Sequence, residues 1–370
     1  MINLADQSNR GFSRTKVAVI GTRHFDVNKC MTQQLFFKVT IPVLMLLGLV
    51  GCTKNPHLID LTGSEVQVEL KRLDEDLFNL KPNEVEASLP MLQSRYGDFL
   101  DDYTAGVLRI GQVNDPAFAY SFSQFITDAS MRSLYDDSRK HYADVSDLHQ
   151  ELNLAFSYFH HHFPDSAVPE VVLNISGLNY AIIATQTTLA IGLDMFLGAD
   201  YPAYPMVGLP QYMFRNMKRD QLVPQAMKGW LQSMYEETAP QSTMLDQMLF
   251  HGKILYAMDA LLPAWPDSAK IGYTQEELQW CKSSEKAIWN HLLEQEMLYS
   301  NDPMLINQWV NQAPFVKGIP KQSPGRLGQW IGWVIIRRYM EENPDIPLQE
   351  MMADSNSQRI LSRSRYKPGK

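Results

Sequence analysis

A chain of 370 residues that is 45% hydrophobic and 20% charged can bury a large core, and its composition is not that of a disordered protein. The formal net charge of −8 argues against a general nucleic-acid binder, because phosphate binding needs a surplus of lysine and arginine on some face. No basic run offsets it; residues 359–370 read as a charged tail.

Residues 1–30 carry no helical or strand periodicity of useful length, and translation is expected to begin at Met31, with 1–30 lying upstream of the true start. The stretch "MTQQLFFKVTIPVLMLLGLVGC" follows, with one positive charge, Lys38, ahead of an apolar run over 39–50. That run is too short and too near the N-terminus for a comfortable membrane-spanning helix. It ends in Leu49-Val50-Gly51-Cys52, the form of a bacterial lipoprotein cleavage box, so 31–51 is expected to be a signal peptide and Cys52 the lipidated residue. The mature chain would then keep 370 − 51 = 319 residues and attach to the membrane through its N-terminal acyl chains. Thr53 rather than Asp after the cysteine favours export to the outer membrane. Cys30 is then removed and Cys52 acylated, which leaves Cys281 without a disulfide partner.

Residues 52–64 read as a tether leading to one α+β domain over 65–370. Alternation over 66–74 predicts a first strand. Apolar residues three or four apart predict helices over 84–96, 115–126, 129–142 and 146–163. A Val/Ile/Thr-rich island then gives three β runs, 171–175, 180–185 and 188–193. After a tyrosine- and proline-rich loop over 201–210, helices return over 242–262, 274–297, 303–311, 325–342 and 347–362. Thr274 and Glu277 have capping-box spacing. Gly328-x-x-x-Gly332 reads as close helix packing rather than a membrane dimer motif, since Gln329 and Arg337 interrupt the apolar run. The fold expected is mostly helical, with a small, mainly antiparallel sheet between two sets of helices.

"FHGKILYAMDALLP" places His251 inside the 242–262 helix, where a zinc peptidase would carry the first histidine of His-Glu-x-x-His. That motif sets two ligands on one helix face and a general base between them. Here the base position is Gly252 and the second ligand position is Leu255, so neither the carboxylate nor the second imidazole exists. Glu285, as a third ligand, leaves only one His and one Glu, a poor zinc site. His160, His161 and His162 point about 100° apart in turn and cannot converge on one ion from one helix. There is no Gly-x-Ser-x-Gly and no phosphate-cradling glycine motif. No catalytic residue, metal or cofactor is expected.

The blocks "EVQVELKRLDEDLF", "AIGLDMFLGADYPAY", "HGKILYAMDALLP", "IGYTQEELQWCKSSEKAIWNHLLEQEMLYS" and "SPGRLGQWIGWVIIRRYM", with the terminal "ILSRSRYKP", resemble gliding motility-associated lipoproteins of the GldB type from Bacteroidetes. The resemblance covers about 65–368. It implies an envelope lipoprotein associated with gliding and the linked type IX secretion machinery, anchored in the outer membrane on its periplasmic face and partnered by other envelope proteins of that apparatus. It also implies distant similarity to zincin-type metallopeptidases with a degenerate catalytic helix. Within these blocks, Asp194, Tyr204, His251, Lys253, Tyr256, Glu285, Trp289 and Arg326 are the residues expected around the old cleft. Each has a structural alternative: Asp194 as a turn cap, Lys253 and Tyr256 as same-face neighbours, Glu285 as an ion-pair partner, Arg326 as part of a helix start. Two other functional classes fit the residues less well, a residual zincin-like peptidase and a periplasmic lipoprotein that binds peptides or glycans.

Overall fold

The structure is a computed structural model that describes residues 55–235 and 242–369. The upstream extension, the signal peptide and Cys52 therefore lie outside the described residues. The stretch read as a tether touches the domain from its first described residue: Asn55 Nδ2 donates to the Pro263 carbonyl at 2.9 Å, and the His57 ring meets Tyr256 edge-on at 5.4 Å.

Strand β1 (Leu70–Arg72) runs straight into helix α1 (Leu73–Phe78). A helical excursion follows: α2 (Val85–Tyr96), α3 (Phe99–Asp101), α4 (Phe118–Thr127), α5 (Ala129–Tyr142) and α6 (Ser146–His162). The chain then returns to the sheet as β2 (Glu170–Asn174), β3 (Ile182–Ala184) and β4 (Thr188–Gly192). Two short helices, α7 (Ala203–Met206) and α8 (Gln211–Phe214), lead to α9 (Leu222–Met234). The C-terminal half is α10 (Met244–Leu261), α11 (Asp267–Ile271), α12 (Gln275–Glu294), α13 (Pro303–Val310), α14 (Leu327–Glu342), α15 (Leu348–Ala353) and α16 (Ser357–Ser364).

The expected class holds, but the sheet is mixed rather than mainly antiparallel. Its order is β1-β2-β4-β3; β1–β2 and β2–β4 are parallel, and only β3–β4 is antiparallel. The reason lies in the connections. The helical excursion over 73–169 brings β2 back alongside β1 in the same direction, as a long crossover permits. Only β3 and β4 share a tight turn. β4 enters between β2 and β3, so β2 pairs with the second arm of the hairpin and not the first. β2 and β4 form the buried centre of the sheet, and β3 is an edge.

Capping fixes several helix starts. Thr274 and Glu277 exchange the expected reciprocal bonds, at 3.2 and 2.9 Å. Thr243 and Asp246 make a second capping box, which starts α10 two residues later than the sequence suggests. Of the 18 residues of α10, 15 are buried, so it is a core helix buried nearly all round rather than an amphipathic one. Among the described residues no helix is long and apolar enough to cross a membrane.

Candidate functional site

Helices α10 and α14 pack along one another and make their closest approach at glycines. A β-carbon on Gly252 would sit 2.7 Å from the Trp333 backbone nitrogen and nearer still to the backbone of Gly332. A β-carbon on Gly332 would overlap the Met248 carbonyl, and one on Gly328 would press Trp309 O at 3.1 Å. Gly328-x-x-x-Gly332 is therefore a helix-packing motif, as its interrupted apolar run suggests. The same contact explains the residue after His251. Position 252 is pressed against the backbone of α14, so a glutamate cannot stand where a zinc peptidase holds its base. Leu255, in the second ligand position, is fully buried core.

His251 itself is buried against Phe250, ring centroids 5.2 Å apart, and it lines a cleft of about 660 Å³. One wall of the cleft is Asn179–Ile182 and Ala184, from β3 and the turn before it; the others are α9, α10, α11 and the start of α14. The lining is rich in amides, among them Asn216, Gln225, Asn311 and Gln329, and among the described residues it contains no aspartate or glutamate. It holds three cations. Lys270 is matched, its ammonium 2.9 Å from Asp259 Oδ1. Lys228 and Arg326 are in no ion pair among the described residues: Lys228 Nζ donates to Gln329 Oε1 at 3.1 Å, and Arg326 donates to the Gly272 carbonyl at 3.1 Å. Burial, reinforced by the Arg326 charge, pushes the Lys228 ammonium down to about 7. Arg326 begins α14 in the left-handed region at φ 61°, stacks over Tyr273 at 5.5 Å and is 9% exposed, with its Nε buried and without an acceptor.

The eight residues expected around one cleft are distributed over five places. His251 and Arg326 line the cleft. Asp194 is fully buried behind β4 and pins the turn after β2: its carboxylate accepts from Ser176 N at 2.8 Å, Leu178 N at 2.6 Å and Ser176 Oγ at 3.2 Å. Burial raises the Asp194 carboxyl above its ordinary range, partly offset by those bonds. Tyr204 supports the same turn by donating to the Asp194 carbonyl at 3.1 Å and accepting from Leu197 N at 2.9 Å. Lys253 caps the end of α15, donating to Met352 O and Asp354 O at 3.0 Å each. Tyr256 faces His57. Glu285 and Trp289 hold the C-terminal tail: the Tyr366 hydroxyl donates to Glu285 Oε1 at 2.9 Å, and its ring stands perpendicular to Trp289 at 5.1 Å.

Sequence reasoning missed Lys228 and a buried ionic knot beneath the cleft. Arg337 binds both Asp259 and Asp267, at 2.7 Å each, and stacks 3.8 Å from the Trp333 ring. Trp333 Nε1 also donates to Asp259, at 2.9 Å. The available signal was a lone charge in each of two apolar stretches, Asp259 in "LYAMDALLP" and Lys228 in "VPQAMKGWL". His162, expected at an exposed helix end, is half-buried, and burial pushes its imidazole down to about 4. Among the described residues no group of three or more His, Cys, Asp or Glu is placed to hold a metal ion.

Neither a curated protein nor a solved structure matches the chain. The family model described as "Gliding motility protein GldB" matches residues 54–368, which is nearly the whole described domain. The chain therefore belongs to the GldB family of gliding motility proteins.

Proposed function

We propose that this protein is a lipid-anchored, non-enzymatic component of the envelope apparatus for gliding and the linked type IX secretion, acylated at Cys52 and held at the periplasmic face of the outer membrane. Membership of the gliding motility family supports the process, and the cleavage box before Cys52 supports the anchor. The observation that carries the non-enzymatic part is the α10–α14 crossing. A zincin scaffold that once held His-Glu-x-x-His would keep its helix and first histidine, yet here the base position has been given over to backbone packing at Gly252. The domain then works by contact, its partners being other envelope proteins of the apparatus.

Affinity capture of the tagged full-length protein from gently solubilised envelopes tests the role, together with deletion of its gene. Co-purification of gliding or secretion components, with loss of colony spreading or of secreted protein on deletion, is the expected result. A deletion strain that spreads and secretes normally would remove the proposal. Cys52→Ala should leave the protein unacylated and release it from the membrane fraction; retention in that fraction would refute the anchor.

A further inference from the structure

The register of the sheet leaves one strand edge open on the cleft. Gly192 N donates to Ala181 O at 2.9 Å and Thr185 N to Thr188 O at 2.8 Å. With Ile183 opposite Ala190, residues 181, 183 and 185 therefore form the hydrogen-bonded pairs with β4. Ile182 and Ala184 fall in the alternate pairs, so their N–H and C=O groups point away from β4, past the edge of the sheet. No described residue bonds to them. Both residues line the cleft. Helix α9 approaches this strand across its face, not its edge: a β-carbon on Gly229 would lie 2.7 Å from Ile182 Cγ2. That contact brings Lys228, the preceding residue, to the cleft wall.

An open strand edge and an unmatched positive charge are two independent features, and they select the same ligand. A free edge recognises extended backbone, with side-chain pockets setting preference. Lys228 and Arg326, in a wall with no carboxylate among its described residues, favour an anion; Arg326 brings a fork of five donors, of which one reaches Gly272 O. We propose that the cleft binds an extended peptide bearing a carboxylate, its backbone added to the edge of β3 at Ile182 and Ala184 and its carboxylate met by Lys228 and Arg326. The volume of about 660 Å³ accommodates a segment of a few residues. Met195, Met213 and Met217 give the cleft adaptable apolar contacts, which suits a range of side chains. This inference is independent of the gliding role, since it concerns only what the cleft holds.

The test exposes the immobilised full-length protein, in detergent, to random tetrapeptides in three forms: free C-terminal carboxylate, C-terminal amide, and backbone N-methylated. Retained peptides are identified by mass spectrometry. Carboxylate-bearing peptides should be retained at least about tenfold better than neutral amides, and N-methylation should abolish retention. Lys228→Gln should reduce the preference for the carboxylate severalfold, with Arg326 keeping the remainder. Ala184→Pro should weaken all peptides, since that N–H takes no part in the β3–β4 ladder; unchanged thermal melting of both variants serves as the folding control. Equal retention of amides and acids overturns the carboxylate assignment. Undiminished retention of N-methylated peptides overturns strand addition. Retention of oligogalacturonate in preference to every peptide would assign the cleft to acidic sugar and overturn the peptide reading.

Discussion

Adding one methyl group at Gly252 probes the contact on which the non-enzymatic reading depends. The new β-carbon would lie 2.7 Å from Trp333 N, and nearer to Gly332, where real β-carbons essentially never come within 3.0 Å. The obstacles are backbone atoms of another helix, so no side-chain rotation relieves them, and α10 and α14 must move apart. Separating them loosens contacts made by Met248, Trp309 and Trp333. Overpacking of this kind costs about 3 kcal/mol, and the better helix propensity of alanine returns ~1 kcal/mol, so Gly252→Ala should lose a net ~2 kcal/mol or more. Gly252→Glu should lose considerably more. Urea unfolding followed by tryptophan fluorescence reads this as a lower midpoint at unchanged slope. Gly106→Ala is the control, because a β-carbon there meets nothing within 4 Å; it should be neutral or slightly stabilising, by under about 1 kcal/mol. A Gly252→Ala protein within about 0.5 kcal/mol of the parent would show that a side chain fits at 252, and the physical reason for the missing base would be gone.

Further outcomes follow from the buried polar contacts. Asp259→Asn leaves Lys270 buried without its carboxylate and should cost about 3–5 kcal/mol, measured by the same unfolding assay. Burial opposes ionisation of Asp267, but the hydrogen bonds and charge of Arg337 outweigh it and hold the carboxyl below its ordinary range. The stabilisation from that pair is therefore complete at neutral pH and lost as pH falls below about 4, and Asp267→Asn should flatten the acid limb of the stability–pH curve. Tyr366→Ala should free the C-terminal tail, raise its proteolysis and cost about 1–2 kcal/mol, whereas Tyr366→Phe should lose only the Glu285 bond. Peptide binding in the cleft should weaken as pH rises through about 7, where Lys228 loses its proton. Arg326 stays charged and Lys270 is matched by Asp259, so Lys228→Gln should reduce the slope.

The sequence made legible what depends on neighbours along the chain. The strand island, the Thr274–Glu277 capping box and the tight packing signalled by Gly328 and Gly332 all have local causes. The sheet order does not. The turn that leads out of β2 is held by Asp194 from beyond β4, a contact between residues 16 to 18 apart that leaves no periodicity. That position 252 is a glycine could be read directly; what presses on it, the backbone of Gly332 eighty residues on, could not. The same distance effect scattered the expected site. Lys253, Glu285 and Trp289 are polar or aromatic for the sake of α15 and of Tyr366, whereas Lys228 was hidden in an apolar helix and became visible only once β3 supplied the opposite wall.

Purified full-length protein, supplied with stoichiometric zinc and assayed against a broad mixture of unstructured peptides, tests the non-catalytic role most directly. A helix with one imidazole, no carboxylate at 252 and a leucine at 255 should give no cleavage above buffer, with or without chelator. Zinc-dependent cleavage that disappears with chelation and with His251→Ala would contradict it.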